Sequence, residues 1–137
     1  MGTADIALRR LVSLRANGRC EYCRLPLEFD DSPASLDHII ARKHRGHTDA
    51  ENLAYACYHD NNYKGDNIAG LDPSDSALTR LFNPRIDDWH EHFGFHQGEI
   101  VPRTPIARTT LYVLNVNAPV RVMARCLLMA SGDMEPR

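Results

Sequence analysis

The sequence predicts an α+β fold, and three observations carry that expectation. Apolar side chains at Ile6, Leu8, Leu11, Val12 and Leu14 recur near helical spacing. Two short strand-like runs follow, one between Ser35 and Ala41 (Leu-Asp-His-Ile-Ile) and one from Leu53 to Ala56, with a short polar helix from Tyr58 to about Gly65. The remaining chain carries a hairpin signal and two helix signals.

Taken in order, the first helix spans residues 4–17 and stops at Asn17-Gly18, because glycine tolerates the left-handed conformation at a helix end. A cysteine pair comes next. A polar loop through Arg45-Gly46-His47 joins the two strands. Gly65 to Ser76, with Gly70 and Asp72-Pro73, reads as turns. Phe93/Phe95 and Ile100/Val101 flank Gln97-Gly98 and predict a hairpin. Thr104-Pro105 opens a helix, since proline at the first helical position gives up no needed donor. Asn117 is expected to cap a last helix carrying Val120, Val122, Met123, Leu127 and Leu128, ending near Gly132. Trp89, Phe93 and Phe95 are expected in the core, and Cys126, in an apolar helical run, is expected to be buried and inert.

A chain of 137 residues is long enough for one domain with a real core, and 43% hydrophobic with 25% charged residues argues against disorder. No apolar run approaches the ~20 residues that span a bilayer, and Met1–Arg10 lacks a signal-peptide core. The expectation is a cytoplasmic protein with no membrane partner. Four cysteines in a chain of this size do not make a secreted disulfide framework, so Cys20-x-x-Cys23 reads as a metal knuckle in a reducing compartment. A net charge of −2 argues against coating nucleic acid by bulk charge, and leaves a local patch of Arg42, Lys43 and Arg45, with Lys64 further on. A solvated basic loop is the plain alternative for the first three.

The chemistry concentrates in residues 20–65: C-E-Y-C, L-D-H-I-I, then E-N-L-A-Y-A-C-Y-H-D-N-N-Y-K-G. Histidine titrates near neutrality and can take a proton from water. A carboxylate and an amide oxygen are hard ligands suited to Mg²⁺ or Mn²⁺. Adjacent strand residues point to opposite faces, so Asp37 and His38 can serve one site only where the backbone bends. Asn61 must face back from its helix, and its neighbour Asn62 is the alternative. An Asp-His dipeptide alone is commonly a surface or capping pair, and Asn52 alone reads as a turn residue. His44 and His47 read as solvated loop residues, and His90, His92 and His96 have spacings that fit no known ligand pattern.

The ordered set of Asp37-His38, Asn52-Leu53 and Asn61 with Lys64 three positions on resembles the HNH endonuclease family. Its ββα-metal (His-Me finger) fold also occurs in homing endonucleases, restriction enzymes and one nuclease domain of CRISPR effectors. The resemblance implies a ββα core over 19–66 with an N-terminal helix, and a C-terminal scaffold of hairpin plus two helices over 67–137, all one domain. It implies His38 as general base, Asp37 and Asn61 as ligands of a catalytic Mg²⁺ or Mn²⁺, Asn52 as a bridge pinning the inter-strand loop, and Lys64 as a phosphate contact. The implied partner is DNA, with RNA open and monomer or dimer undetermined. A non-catalytic nucleic-acid-binding module of the same fold, or a structural zinc protein in protein–protein contacts, is the competing function. Downstream, L-T-R-L-F-N-P-R, W-H-E-H-F and R-T-P-I-A-R-T-T resemble the tail of small stand-alone members.

Many relatives hold a structural zinc on two C-x-x-C pairs. Here the first pair is Cys20 and Cys23, but Cys57 is followed three positions on by Asp60. Zinc accepts carboxylate and imidazole as well as thiolate, so Cys20, Cys23 and Cys57 with Asp60, or with His59, form the expected Zn²⁺ site. Three small buried thiols without metal are the alternative.

Overall fold

In the computed structural model, which describes residues 3–137 and their side chains from Asp5 onward, the first helix is α1 (Thr3–Arg15). It buries Val12 completely and leaves Ile6, Leu11 and Leu14 exposed. Asn17 (φ 54°) and Gly18 (φ 69°) take the left-handed conformation that ends it. Arg15 donates to the carbonyls of Ala50 (2.9 Å) and Leu53 (2.7 Å), which ties α1 to the chain entering the second strand.

β1 (Ser35–His38) pairs antiparallel with β2 (Leu53–Ala56), Asp37 opposite Ala54 and His38 opposite Leu53. The first strand is shorter than the apolar run over 35–41 predicts. Beyond Ile39 the chain leaves the ladder, because the Asn52 side chain takes up the backbone of Ile40 in place of a strand partner: Ile40 N donates to Asn52 Oδ1 (2.9 Å) and Asn52 Nδ2 to Ile40 O (2.9 Å). The same amide nitrogen donates to His47 O (2.9 Å), so one side chain closes the loop. Gly46 is required there, since a Cβ on it would lie 1.7 Å from Ile40 O.

α2 (Tyr58–Lys64) follows β2 directly, with Cys57 as its N-cap accepting from Asp60 N (3.3 Å). Its polar sequence hides two buried charged residues, Asp60 and Lys64.

The chain divides into two units, Met1–Ile68 and Ala69–Arg137. The second contains two findings that the sequence did not announce. β3 (Ala69–Leu71) and β4 (Leu78–Arg80) form a hairpin where turns were expected. Strands of three residues with exposed Leu71 and Leu78 carry no readable alternation, and Asp72 closes the turn by accepting from Ser76 N (2.7 Å). A short helix, α3 (Trp89–His92), precedes the expected hairpin of β5 (Phe93–His96) and β6 (Glu99–Pro102), whose turn residues Gln97 and Gly98 both have positive φ. Trp89 and Phe93 pack with ring centroids 5.2 Å apart. α4 (Pro105–Val113) begins as expected, its Thr104 cap accepting from Ala107 N (3.1 Å).

α5 (Pro119–Ala130) corrects two expectations. Asn117 does not cap it: Ala118 holds that position, and Asn117 instead exchanges two hydrogen bonds with the Ile100 backbone (2.9 and 2.7 Å). Cys126 is exposed, as are Val120, Met123 and Leu127. The inward position belongs to Arg125, which donates to Gly98 O (2.7 Å), Val116 O (3.1 Å) and Asn117 Oδ1 (3.0 Å). Arginine has a long apolar stem and enough donors to satisfy buried carbonyls, so it displaces the apolar stripe from the interior. Among the described residues, no helix is long and apolar enough to cross a membrane.

Candidate active site

Asp37 and His38, at the end of β1, and Asn61, in the middle of α2, line one cavity of about 280 Å³ together with Leu36, Ala41, Arg42, Gly65 and Asp66. That space holds about nine waters at ~30 Å³ each, enough for a phosphate group and a hydrated ion. Larger grooves lie along α1 (Ile6, Ala7, Arg10, Leu11, Leu14) and along α5, but their linings are mainly apolar and hold no comparable set of acid, base and amide.

The strand end resolves how two neighbouring residues reach one space. Asp37 is only 2% exposed, whereas His38 is half-buried at the last ladder position, where the chain bends away. Asp37 receives two hydrogen bonds, from Tyr22 Oη to Oδ2 (2.5 Å) and from Lys64 Nζ to Oδ1 (3.2 Å). Burial raises its pKa, and Lys64 and then Tyr22 oppose that rise by favouring the carboxylate. Each carboxylate oxygen has a second lone pair, so two donors leave coordinating capacity.

His38 has its Nε2 2.8 Å from Thr48 Oγ1, which fixes the ring. Burial lowers its pKa; Asp37 pulls upward, while the cations of Arg42 and Lys64 push it further down. A neutral imidazole at neutral pH is the form that can accept a proton. Asn62 is exposed and lies outside the cavity lining, where Asn61 is found.

Lys64 differs from the surface phosphate contact expected of it. Its side chain is 1% exposed, and Nζ donates to Asp37 Oδ1, His38 O (2.9 Å) and Ile39 O (3.2 Å). All three ammonium protons are taken within the protein. Arg42, Lys43 and Arg45 remain exposed on and after the 3-10 turn Arg42–His44, with Arg42 at the cavity. Tyr22, Thr48 and Asp66 were not read from the sequence as site residues. Their only linear signals are a tyrosine inside a cysteine knuckle, a loop hydroxyl and an acid after Lys64-Gly65, none of which is informative without the fold.

A second cluster lies in the same unit. Single ligand atoms of Cys20, Cys23, Cys57 and Asp60 all fall within 4.8 Å of one another, and all four residues are buried. Cys23 Sγ and Cys57 Sγ are 3.9 Å apart; sulfurs on a tetrahedral ion with metal–sulfur bonds of about 2.3 Å stand about 3.8 Å apart. Cys20 Sγ donates to Asp60 Oδ2 (3.1 Å), but Asp60 Oδ1 is buried and takes no hydrogen bond from the described residues. Burial, then the neighbouring Cys23, pushes the Asp60 carboxyl well above its usual range. An orphaned buried oxygen among three thiols fits a cation. His59 is not part of this cluster; its ring packs on Tyr63. His90, His92 and His96 form no comparable group among the described residues, and His92 Nδ1 pairs with Thr104 Oγ1 (2.6 Å).

A family model described as HNH endonuclease matches residues 20–67, the stretch that contains the cavity residues and the cysteine cluster. No curated protein and no solved structure matches the chain.

Proposed function

From the match of residues 20–67 to the HNH endonuclease family model, we propose that this protein is an endonuclease that hydrolyses phosphodiester bonds in DNA with the aid of a divalent cation. The observation that carries the reading is the shared cavity of Asp37, His38 and Asn61, residues up to 24 positions apart that supply a base and two oxygen donors to one small polar space. In this reading β1, β2 and α2 are the ββα-metal core, and residues 67–137 are scaffold.

His38 takes the proton from the attacking water. In the tautomer that donates Nε2–H to Thr48 Oγ1, the lone pair is on Nδ1, and the contact with Thr48 keeps the ring from turning away. The water oxygen bonds to phosphorus as the bond to the departing sugar oxygen breaks. Asp37 and Asn61 would hold Mg²⁺ or Mn²⁺, which when bound offsets charge on the phosphate and on the departing oxygen. Lys64 keeps Asp37 ionised and bridges to the His38 and Ile39 carbonyls, so it positions the site. Asn52 pins the loop that carries Arg42, Lys43 and Arg45, exposed cations that would pair with phosphates of a bound strand. Cys20, Cys23, Cys57 and Asp60 would hold a structural Zn²⁺, which when bound would join the knuckle to the start of α2.

Plasmid incubated with the purified protein is expected to be nicked or cut with Mg²⁺ or Mn²⁺ and left intact in EDTA. General-base catalysis contributes about 10²–10⁴-fold, so His38→Ala should lose at least a hundredfold in rate. His38→Ala cutting as fast as the parent would end this reading. Salt-sensitive DNA binding without cleavage in either metal would replace it with a binding module.

A further inference from the structure

We propose that Tyr22 is a positioning residue of the cutting centre: from inside the cysteine knuckle, its hydroxyl orients the Asp37 carboxylate. The inference rests on the reading of Asp37 as a cation-holding group and adds a residue to it.

Tyr22 is 1% exposed, and its hydroxyl donates to Asp37 Oδ2 at 2.5 Å, a charge-assisted contact at the short end of the range. A buried tyrosine needs a partner for its hydroxyl, and a backbone carbonyl would serve. Here the partner is Asp37, which lines the cavity beside His38 and is itself nearly sealed from water.

The tyrosine has little freedom. Cys20 and Cys23 flank it in sequence and are both fully buried. Cys20 N donates to Leu25 O (2.9 Å) and Arg24 N to Cys20 O (2.9 Å), which closes the knuckle into a turn. Glu21 then clamps that turn to β2: its N–H donates to Tyr55 O (2.8 Å), and its Oε2 accepts from Tyr55 N (2.7 Å). Tyr55 faces Leu36 across the ladder, one residue before Asp37. The clamp therefore fixes the height at which Tyr22 meets the carboxylate. With Lys64 on Oδ1 and Tyr22 on Oδ2, Asp37 is held from both oxygens and cannot swing about its terminal bond. Partners that orient a ligating carboxylate in this way are typically worth about 10–100-fold in metal affinity.

The test is Mn²⁺ binding to the intact protein, followed by electron paramagnetic resonance, for the parent, Tyr22→Phe and Asp37→Asn. Phenylalanine keeps the buried ring and removes one oxygen. The expected result is loss of specific binding in Asp37→Asn and an affinity about tenfold weaker in Tyr22→Phe, with an altered Mn²⁺ line shape and a cooperative melting transition retained. Parent-like affinity and line shape in Tyr22→Phe, with Asp37→Asn still defective, overturn the role of Tyr22 alone. Parent-like binding in Asp37→Asn removes the reading beneath it as well. A second measurement does not depend on how Tyr22→Phe folds: 3-fluorotyrosine at position 22 should show a ¹⁹F resonance that moves on Mg²⁺ addition in the parent background and stays still with Asp37→Asn. A resonance indifferent to Mg²⁺ in both overturns the proposal.

Discussion

His38 meets a set of influences whose signs can be followed one at a time. Desolvation disfavours the imidazolium; Asp37 favours it; Arg42 and Lys64 disfavour it, and the net shift is downward from 6.5. A cation held by the neighbouring oxygen donors would act in the same direction as Arg42. The neutral base is therefore the majority form at pH 6.5, and it gives way to the imidazolium as the pH falls further. In cleavage assays, the acid limb of kcat/KM should have its midpoint below pH 6.5. Arg42→Ala removes one downward influence, so its acid limb should lie at higher pH than the parent's. A parent limb above 6.5, or one that Arg42→Ala moves to lower pH, would contradict this assignment. The residue types here were readable in the chain. Their protonation was not, because it depends on burial and on Lys64, 26 positions away.

The loop between β1 and β2 shows how an element depends on one residue with no side chain. Asn52 reaches Ile40 and His47 only because nothing projects from Gly46 into the space they share: a Cβ would lie 1.7 Å from Ile40 O and 2.8 Å from Asn52 Nδ2. Backbone cannot yield as a flexible side chain does, so Gly46→Ala should force the loop open and cost about 1–3 kcal/mol in urea denaturation. Cleavage should fall with it, since Thr48 is on the same loop and fixes the His38 ring. A variant as stable and as active as the parent would show that the loop has another path. The sequence marked Asn52 through its place in an ordered pattern, but Gly46 looked like any loop glycine, because close approach is a property of two segments.

At the scale of the whole chain, the cluster of three cysteines and Asp60 lies within Met1–Ile68, and among the described residues no second such group occurs in Ala69–Arg137. A zinc ion there would join the 20–23 turn to the start of α2 and contribute directly to the stability of that unit. Purified protein should carry one equivalent of zinc. Stripping it with a strong chelator should speed hydrogen exchange in residues 19–25 and 57–64 and leave peptides from 69–137 unchanged. Zinc-free protein with the same protection in those segments would show instead that the thiols pack as small apolar groups.

The α+β class, the strand at Leu53–Ala56, the hairpin at Gln97-Gly98 and the start of α4 were legible in the chain because each follows from local periodicity or turn chemistry within a few residues. The ordered Asp37-His38, Asn52 and Asn61 were legible too, since their spacing is linear information. What the chain could not disclose is which groups lie inside. Lys64 and Arg125 look like surface cations and are buried, while Cys126 and Val120 look like core and are exposed. β3 and β4 are three-residue strands that exist through their pairing, and Tyr22 reaches Asp37 only after the knuckle has folded onto β2. Burial and hydrogen-bond partnership depend on segments far apart in sequence meeting in space, and no window along a single chain contains both partners.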